Sequence, residues 1–369
     1  MTSDPEAARL REVARLDPEI LEAIGRGWDD PLEEREFDRL ARDVFAHQLR
    51  FNPVYRQFCL FQGVAAAADV GSWREIPAVP TGAFKVGRWA TFPEEQERVA
   101  FRTSGTSTST PGVHRFDSLA LYNAAIVSSA RRWLIPDRER IRCLFLSPDP
   151  RSAPDSSLVH MFAVFREAFG EPGTAFLAAE ALPAALDRAA ADGEPVLIAG
   201  AALAFHHALP IGDDRSWTLP AGSRAMVTGG FKGVRVATDP DELGARIAAR
   251  IGIPRERQVA EYGMTELSIQ YYDPSLRRAL AGDETVESRG FVVPPWARVR
   301  IVEPLDGREL PEGESGAIVH LDLANRGSAL VLQTSDLGAK TGAWTFELRG
   351  REPGAEARGC SLAADLWLG

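Results

Sequence analysis

Lysine and cysteine are both scarce in this chain. Three residues are lysines and the other basic residues are arginines, a bias of composition to which we assign no function. The three cysteines, Cys59, Cys143 and Cys360, are odd in number and widely spaced. This spacing indicates neither a disulfide framework nor a metal-binding cysteine cluster, and it predicts a reducing, cytoplasmic setting.

Long apolar runs and a positive net charge are absent as well. The longest apolar run, Pro195–Phe205, is far shorter than the roughly 20 residues that span a bilayer. The first 16 residues are charged and amphipathic, so they lack the apolar core of a signal peptide. A net charge of −10 argues against a nucleic-acid binder, which normally carries a basic patch. We therefore expect no membrane span and no nucleic-acid partner.

Three regions of the chain differ in their patterns. Residues 1–100 predict a mostly helical region packed on the core, with Asp4-Pro5 and Asp30-Pro31 as helix-start signals. Residues 101–283 alternate between strands and helices, which predicts a layered α/β core. Residues 284–369 predict a β-rich subdomain, because short apolar runs are separated there by Pro, Gly and Glu turns. The predicted fold class is α/β, with layered sheets and flanking helices.

A stretch rich in small and hydroxyl-bearing residues lies between Phe101 and Phe116. Gly105 allows the backbone N–H groups of such a loop to approach a phosphate chain closely. Further donors are the hydroxyls of Thr103, Ser104, Thr106, Ser107 and Thr108. The alternative interpretation of the same composition is a flexible linker.

A second stretch, Glu261–Glu266, reads EYGMTE. Tyr262 is suited to stack on an adenine ring, and Thr265 can donate to a phosphate. Glu266 offers the hard oxygen ligands that Mg²⁺ prefers. The alternative is a strand end followed by a helix cap.

The two stretches together resemble the signatures of the adenylate-forming superfamily, whose members activate a carboxylic acid with ATP. Thr103–Thr106 matches the start of the superfamily's phosphate loop, and Tyr262-Gly263-Met264-Thr265-Glu266 matches its second motif. Three features of the loop depart from the pattern: Thr108 replaces a glycine, one residue is extra, and the lysine after Pro111 is missing. The resemblance implies ATP and Mg²⁺ as cofactors.

The same resemblance implies roles for residues outside these two stretches. His114 or Arg115 is the candidate for the cation that meets the phosphates, and Gly229-Gly230 is expected near adenine. Gln333–Gly338 resembles a turn whose aspartate, here Asp336, accepts both ribose hydroxyls. Leu348–Arg351 resembles the Gly-Arg hinge, with Arg351 on ribose or phosphate. Each of these motifs is weak alone, and their order along the chain carries the resemblance.

The chain is expected to lack the small C-terminal lid domain that most adenylate-forming enzymes carry. About 18 residues follow Arg351, too few for an independent domain. This short C-terminal segment narrows the resemblance to the acyl-protein synthetases, which are the fatty-acid-activating subunits of bacterial luminescence. In that family the acyl group passes to a cysteine near the C-terminus. Cys360 occupies that place, and nearby arginines would favour its thiolate. The alternative is an incidental cysteine in a tail.

Residues of the acyl pocket are the least specific part of the prediction. His160 lies near the place where the superfamily has an aromatic or His residue that gates the acid site. Ala201 and Phe205 belong to a run of small residues that could line an acyl channel. A satisfied core histidine and close helix–sheet packing explain these residues equally well.

The sequence thus predicts an ATP-dependent acyl-protein synthetase. A carboxylic acid, expected to be a fatty acid, becomes an acyl-adenylate and then a thioester on Cys360 for delivery to a partner such as an acyl reductase. The alternatives are a ligase that acylates coenzyme A or a carrier protein, and an inactive homologue that serves as a structural subunit. An oligomer is possible, and the sequence fixes neither the acid nor the final acceptor.

Overall fold

The computed structural model describes residues 4–103, 110–212, 215–229, 239–283 and 290–351, which form two compact units. The first unit contains the described residues up to Ser128, the segment Met264–Ile269 and the described residues from Val293 onward. The second unit contains the described residues of Ser129–Gly263 and of Gln270–Val292. The predicted division into three regions stays a prediction, and the N-terminal helices and C-terminal strands share the first unit.

The described helices are α1 (Pro5–Arg26), α2 (Glu34–Phe51), α3 (Pro53–Phe61), α4 (Ala120–Trp133), α5 (Ser157–Phe169), α6 (Leu182–Asp192), α7 (Ala202–Ala208), α8 (Pro240–Ile251) and α9 (Ser275–Leu280). The described strands are β1 (Val79–Pro80), β2 (Val99–Arg102), β3 (Val113–Phe116), β4 (Arg142–Leu146), β5 (Ala175–Leu177), β6 (Val196–Ala201), β7 (Arg224–Thr228), β8 (Gln258–Tyr262), β9 (Tyr271–Tyr272), β10 (Phe291–Val292), β11 (Ala297–Val302), β12 (Gly316–Asp322), β13 (Val331–Gly342) and β14 (Thr345–Arg351).

The second unit contains a sheet with helices on both faces. Its strands lie in the order β5-β4-β6-β7-β8-β9-β10, parallel from β5 to β8 and antiparallel from β8 to β10. Because side chains alternate along a strand, Leu144 on β4 packs in one apolar layer with residues of α6, α7 and α8. Phe145 belongs to the other layer and stacks on Phe162 of α5 at 4.8 Å between ring centroids.

The first unit contains an antiparallel sheet and a separate hairpin. The sheet has the order β11-β12-β13-β14, and β1 pairs with β13 in parallel. All seven residues of β12 are buried, so this strand lies in the core of the unit. β2 and β3 form the hairpin, with Arg102 opposite Val113 at its inner end. The hairpin therefore holds both ends of the hydroxyl-rich loop.

The N-terminal helices are fixed to the first unit by buried polar side chains. Gln48 of α2 donates to the carbonyls of Asn325 and Arg326 at 2.8 and 3.1 Å and accepts from the Leu330 amide at 2.8 Å. Asn52, at the end of α2, donates to the Ser328 carbonyl at 3.0 Å. These bonds satisfy backbone groups that are buried in the loop between β12 and β13.

One of the two predicted helix starts is confirmed and the other is wrong. The Asp4 side chain accepts from the Glu6 amide at 3.0 Å, and Pro5 is the first residue of α1. Asp30 does not cap α2, because its carboxylate forms an ion pair with Arg26 at 3.0 Å. α2 begins instead at Glu34, where Glu33 and Glu36 form a capping box.

Within the described ranges, no helix combines the length and the apolar character that a membrane crossing requires.

Candidate active site

The stem of the hydroxyl-rich loop is closed by Thr103 and Gly112. The Thr103 amide donates to the Gly112 carbonyl at 3.0 Å, and the Gly112 amide donates to the Thr103 hydroxyl at 2.8 Å. The Thr103 oxygen therefore accepts a bond inside the stem and keeps its hydroxyl hydrogen for another acceptor. The predicted ATP-binding residues Ser104, Gly105, Thr106 and Thr108 lie outside the described residues.

The loop stem lies against Glu266. A Cβ atom placed on Gly112 would meet Thr103 Cγ2 at 3.2 Å, Phe84 Cβ at 3.3 Å and Glu266 Oε1 at 3.6 Å. Glu266 itself is 9% exposed. Two stretches that are about 150 residues apart in sequence therefore meet where the resemblance expects phosphates and Mg²⁺.

His114 does not fit its predicted part as a cation. It is 1% exposed, with Nδ1 at 2.8 Å from the Thr265 carbonyl and Nε2 at 3.0 Å from Asn325 Oδ1. Burial lowers the pKa of His114 to about 4, against the opposing effect of these two contacts. The ring is therefore neutral at physiological pH, and a neutral imidazole donates through one nitrogen only.

Arg115, the other candidate cation, extends from the opposite side of β3. Its Nη1 atom lies 2.9 Å from both carboxylate oxygens of Glu97. The side chain is 24% exposed, so part of it remains accessible to solvent.

Three buried side chains hold the backbone that carries Glu266. His114 contacts the Thr265 carbonyl, and the side-chain amide of Asn325 donates to the Glu266 carbonyl at 3.0 Å. The Asp322 carboxylate accepts from the Ser268 amide at 2.7 Å and from the Ala324 amide at 2.9 Å. Burial raises the pKa of Asp322 to about 7, although these amides lower it. Asn325 and Asp322 were not predicted as site residues.

Asp336 and Arg351 contact each other in the first unit. They are paired across β13 and β14, and Arg351 Nε donates to Asp336 Oδ1 at 2.7 Å. The predicted turn at Gln333–Gly338 is wrong, because this stretch lies within β13. Against β12 the segment is a bulge: β12 advances two residues from Val319 to Ala317 while β13 advances four.

Glycine and tyrosine residues predicted near adenine lie in the second unit. Tyr262 is 7% exposed, and its ring packs at 5.9 Å from Tyr271 and at 5.7 Å from Phe291. Gly229 has φ +65°, and nothing lies within 4 Å of the place where its Cβ would be. Tyr262 and Gly263 are the last residues of the first stretch of the second unit, and the next residue, Met264, belongs to the first unit. Gly230 lies outside the described residues.

The predicted acyl-pocket residues His160, Ala201 and Phe205 are also in the second unit. Phe205 is fully buried in the apolar layer with Leu144 and Ile198. Ala201 ends β6, and His160 is a partly buried residue of α5 whose pKa burial lowers to about 4. The packing of Phe205 agrees with a core residue, and an acyl channel here stays a prediction.

The candidate nucleophile Cys360 lies outside the described residues. Cys59 and Cys143 are free and buried, and burial raises the pKa of the Cys59 thiol to about 12. A thiol with such a pKa is a poor nucleophile at neutral pH.

The donor set around Glu266 fits Mg²⁺ bound together with a nucleotide. In the described part of the chain, no group of three or more His, Cys, Asp or Glu side chains could hold a metal ion. Mg²⁺ is usually held by one or two carboxylates together with substrate phosphates and water, so the Glu266 carboxylate is a suitable protein ligand.

A family model described as "Acyl-protein synthetase, LuxE" matches residues 1–366. The chain belongs to the LuxE acyl-protein synthetase family. This match confirms the predicted resemblance to acyl-protein synthetases.

One relative of this LuxE family member is the long-chain-fatty-acid–luciferin-component ligase of Vibrio harveyi. It is 22% identical over 335 residues, which are 88% of this chain and 84% of that protein.

Solved structures of acyl-CoA ligases are similar to the LuxE chain in fold. An open conformation of 2-hydroxyisobutyryl-CoA ligase in complex with 2-HIB-AMP and CoA matches with a TM-score of 0.58 at 13% identity, over 87% of this chain and 71% of that chain. A long-chain-fatty-acid-CoA ligase from Archaeoglobus fulgidus gives a TM-score of 0.49 at 17% identity, over 71% of this chain and 52% of that chain. The LuxE chain spans about half the length of the Archaeoglobus fulgidus ligase and of an ATP-bound RpMatB-BxBclM chimera. The predicted α/β fold class is confirmed.

The residues that sequence reasoning missed in this LuxE chain are the anchors of the Glu266 segment. Asp322 and Asn325 lie in a stretch that reads LDLAN, which looks like an ordinary strand end and turn. Their partners are more than 50 residues away, so local pattern contains no signal for them. For His114 a signal was present, because the alternation along β3 places it on the same face as the apolar Phe116.

Proposed function

We propose that this LuxE family member activates a fatty acid with ATP. The acid's carboxylate attacks the α-phosphorus, a new O–P bond forms, and pyrophosphate leaves with the electrons of the broken P–O bond. The product is an acyl-adenylate, a mixed anhydride. Membership of the acyl-protein synthetase family and the fatty-acid substrate in the name of the Vibrio harveyi relative support this choice.

The observation that carries the proposal is the contact between the loop stem and Glu266. Gly112 leaves room for the Glu266 carboxylate beside the stem. When bound, Mg²⁺ would neutralise phosphate charge, and Glu266 is the residue that would hold it. Donors in the loop from Thr103 to Thr108 would bind the phosphate oxygens, and Thr265 would add a hydroxyl.

For the cation that meets the phosphates, we keep Arg115 and drop His114. An arginine is charged at neutral pH, whereas the buried His114 ring is not. Arg115 lies on the side of β3 opposite His114 and binds Glu97, so its contact with phosphate stays a prediction from the resemblance. His114 then acts by holding Thr265.

Ribose would be bound by the pair of Asp336 and Arg351. Arg351 Nε donates to Asp336 Oδ1, and a carboxylate can accept from two ribose hydroxyls. The roles of Gly229, Gly230, Tyr262, Gly263 and Met264 near adenine, and of His160, Ala201 and Phe205 near the acyl chain, remain predictions from the resemblance.

In a second step, the acyl group would pass to Cys360. The thiolate attacks the carbonyl carbon of the acyl-adenylate, a thioester forms, and AMP leaves. A partner with its own thiol, such as an acyl reductase, would then receive the acyl group by thioester exchange. This step and the cytoplasmic setting rest on the family resemblance.

ATP–pyrophosphate exchange with a panel of fatty and aromatic acids tests the first step. We expect exchange that depends on a fatty acid, and a chain that exchanges with none of the acids, alone or with its partner, would favour an inactive structural subunit. Replacement Cys360→Ser tests the second step: exchange should continue while radiolabelled acyl transfer to the protein disappears. If the variant is still acylated, or if coenzyme A accepts the acyl group equally well in both proteins, the thioester on Cys360 is wrong.

A further inference from the structure

The segment Met264–Ile269 lies between β8 and β9 and belongs to neither strand. One backbone bond within it joins the Leu267 amide to the Met264 carbonyl at 3.2 Å. Its other described backbone bonds go to side chains from distant parts of the chain. Side chains from distant parts of the chain therefore help to hold Glu266 in place.

Asn325 occupies the centre of these contacts. Its carboxamide donates to the Glu266 carbonyl at 3.0 Å and places Oδ1 at 3.0 Å from His114 Nε2. The opposite nitrogen of the same ring reaches the Thr265 carbonyl at 2.8 Å. The Asn325 side chain thus binds the Glu266 carbonyl directly, and its Oδ1 lies against the His114 ring that contacts the Thr265 carbonyl. Because the neutral ring has one N–H, it donates to only one of these two oxygens.

Asn325 is itself held rigidly. Asn325 is 1% exposed. Its backbone N–H donates to the Asp322 carbonyl at 3.0 Å, and its backbone carbonyl accepts from the Gln48 side chain at 2.8 Å. The Asp322 carboxylate then binds the Ser268 amide, so the same loop holds the segment at a second point. The backbone bonds of Asn325 to Asp322 and Gln48 therefore fix its position.

We infer that Asn325 is a positioning residue for Glu266, with Asp322 and His114 as its supports. The network keeps the Glu266 carboxylate beside Gly112 at the loop stem. The inference rests on the proposed function, because positioning matters to catalysis only if Glu266 holds Mg²⁺ with the nucleotide. Asn325 touches no reacting atom in this account.

The test compares Asn325→Ala with Asn52→Ala in the full-length protein. Asn52 is a matched control: it is a buried amide of the same unit, and its side chain binds the Ser328 carbonyl and the Tyr55 amide. The first readout is the Mg²⁺ concentration that half-saturates fatty-acid-dependent pyrophosphate exchange at fixed ATP. We expect Asn325→Ala to raise it about 10-fold or more, as loss of a residue that orients a metal ligand does, and Asn52→Ala to change it less than about 2-fold.

The second readout needs no turnover. Hydrogen exchange of peptides that cover Met264–Ile269 should become at least about 10-fold faster in Asn325→Ala than in wild type, because the loosened segment no longer holds the Ser268 amide against Asp322. In Asn52→Ala it should change only as much as peptides elsewhere in the first unit.

The outcomes separate the inference from the function on which it rests. If wild-type protein exchanges no pyrophosphate, the proposed function fails, and hydrogen exchange still decides whether Asn325 holds the segment. If wild type is active and Asn325→Ala shows the same Mg²⁺ dependence as Asn52→Ala, the inference is overturned. Unchanged hydrogen exchange in Met264–Ile269 of Asn325→Ala overturns it as well.

Discussion

Burial determines what the histidines of this protein can do. His114 and His47 are both almost inaccessible to solvent, and burial lowers the pKa of His114 to about 4 and that of His47 to about 3. A side chain that stays neutral at physiological pH is unsuited to bind phosphate as a cation. His114 instead packs between the Thr265 carbonyl and Asn325 Oδ1, and His47 contacts Glu12 at 3.3 Å.

His47 predicts an acid-dependent loss of stability. The pKa of His47 is about 3 in the folded chain and about 6.5 in the unfolded chain. Between these two pH values the unfolded chain binds a proton that the folded chain does not bind, and this favours unfolding. Stability from this residue is therefore lost as the pH falls through 6.5. At pH 5.5 the wild type should lose about 1.4 kcal/mol, relative to pH 7.5, that His47→Gln does not lose.

Urea unfolding of both proteins at the two pH values measures this difference. Equal pH dependence of His47→Gln and wild type would show that His47 is protonated alike in the folded and unfolded chains.

At the scale of elements, the β2–β3 hairpin and the β13 bulge place the candidate site residues. The hairpin was predictable in part, because Thr103 and Gly112 bound a hydroxyl-rich run whose composition already indicates a phosphate loop. The bulge at Thr334–Asp336 was not, because Gln333–Gly338 reads as a turn and the pairing of β13 with two strands is a long-range property. Helix α2 shows the same limit: Asp30 has the right side chain for a cap, but Arg26 binds it.

The hairpin stem is sensitive to added volume at Gly112. In Gly112→Ala the new methyl group would meet Thr103 Cγ2 at 3.2 Å and Phe84 Cβ at 3.3 Å, which is tighter than normal packing. We expect a loss of about 1 kcal/mol in the free energy of unfolding and a larger relative loss of pyrophosphate exchange, because the stem moves away from Glu266. Thermal unfolding and exchange assays on the same preparation measure both.

The control for this change is Gly25→Ala, because Gly25 has open space around its Cβ position and does not have a positive φ. Gly63 is unsuitable, since its φ of +82° would strain any residue with a Cβ atom. Gly25→Ala should therefore leave exchange unchanged. If Gly112→Ala exchanges as fast as Gly25→Ala, the stem does not position anything at Glu266.

At the scale of the whole molecule, the first unit is assembled from three separate stretches of chain. Sequence motifs predicted Glu266, Asp336 and Arg351 as site residues, because each belongs to a short signature with a fixed order, and these roles stay predictions. The contacts that join the stretches were not predictable, since they pair residues far apart in sequence. Arg326 is an example: it is 2% exposed and forms ion pairs with Asp17 of α1 at 2.8 Å and with Asp117 at 3.1 Å.

Removal of Arg326 should destabilise this assembly strongly. Arg326→Met removes the cation that Asp17 and Asp117 share and leaves Asp117 with Arg9 at 3.3 Å. Breaking a buried ion pair in this way typically costs about 3 kcal/mol or more. Arg15 also forms two ion pairs, with Glu19 and Asp43, but it is 48% exposed, so Arg15→Met should cost less than about 1 kcal/mol. Denaturant unfolding of the two variants measures the contrast, and equal losses would mean that the buried pairs contribute no more than exposed ones.

The central claim is that Glu266, beside the loop stem, supports formation of an acyl-adenylate. The most direct test is fatty-acid-dependent ATP–pyrophosphate exchange. It compares wild type, Glu266→Gln and the control Glu312→Gln, which changes an exposed residue. We predict exchange in wild type and in Glu312→Gln, and a loss of about 100-fold or more in Glu266→Gln with unchanged thermal unfolding. Exchange at the wild-type rate in Glu266→Gln, or no exchange in wild type with any acid, would contradict the claim.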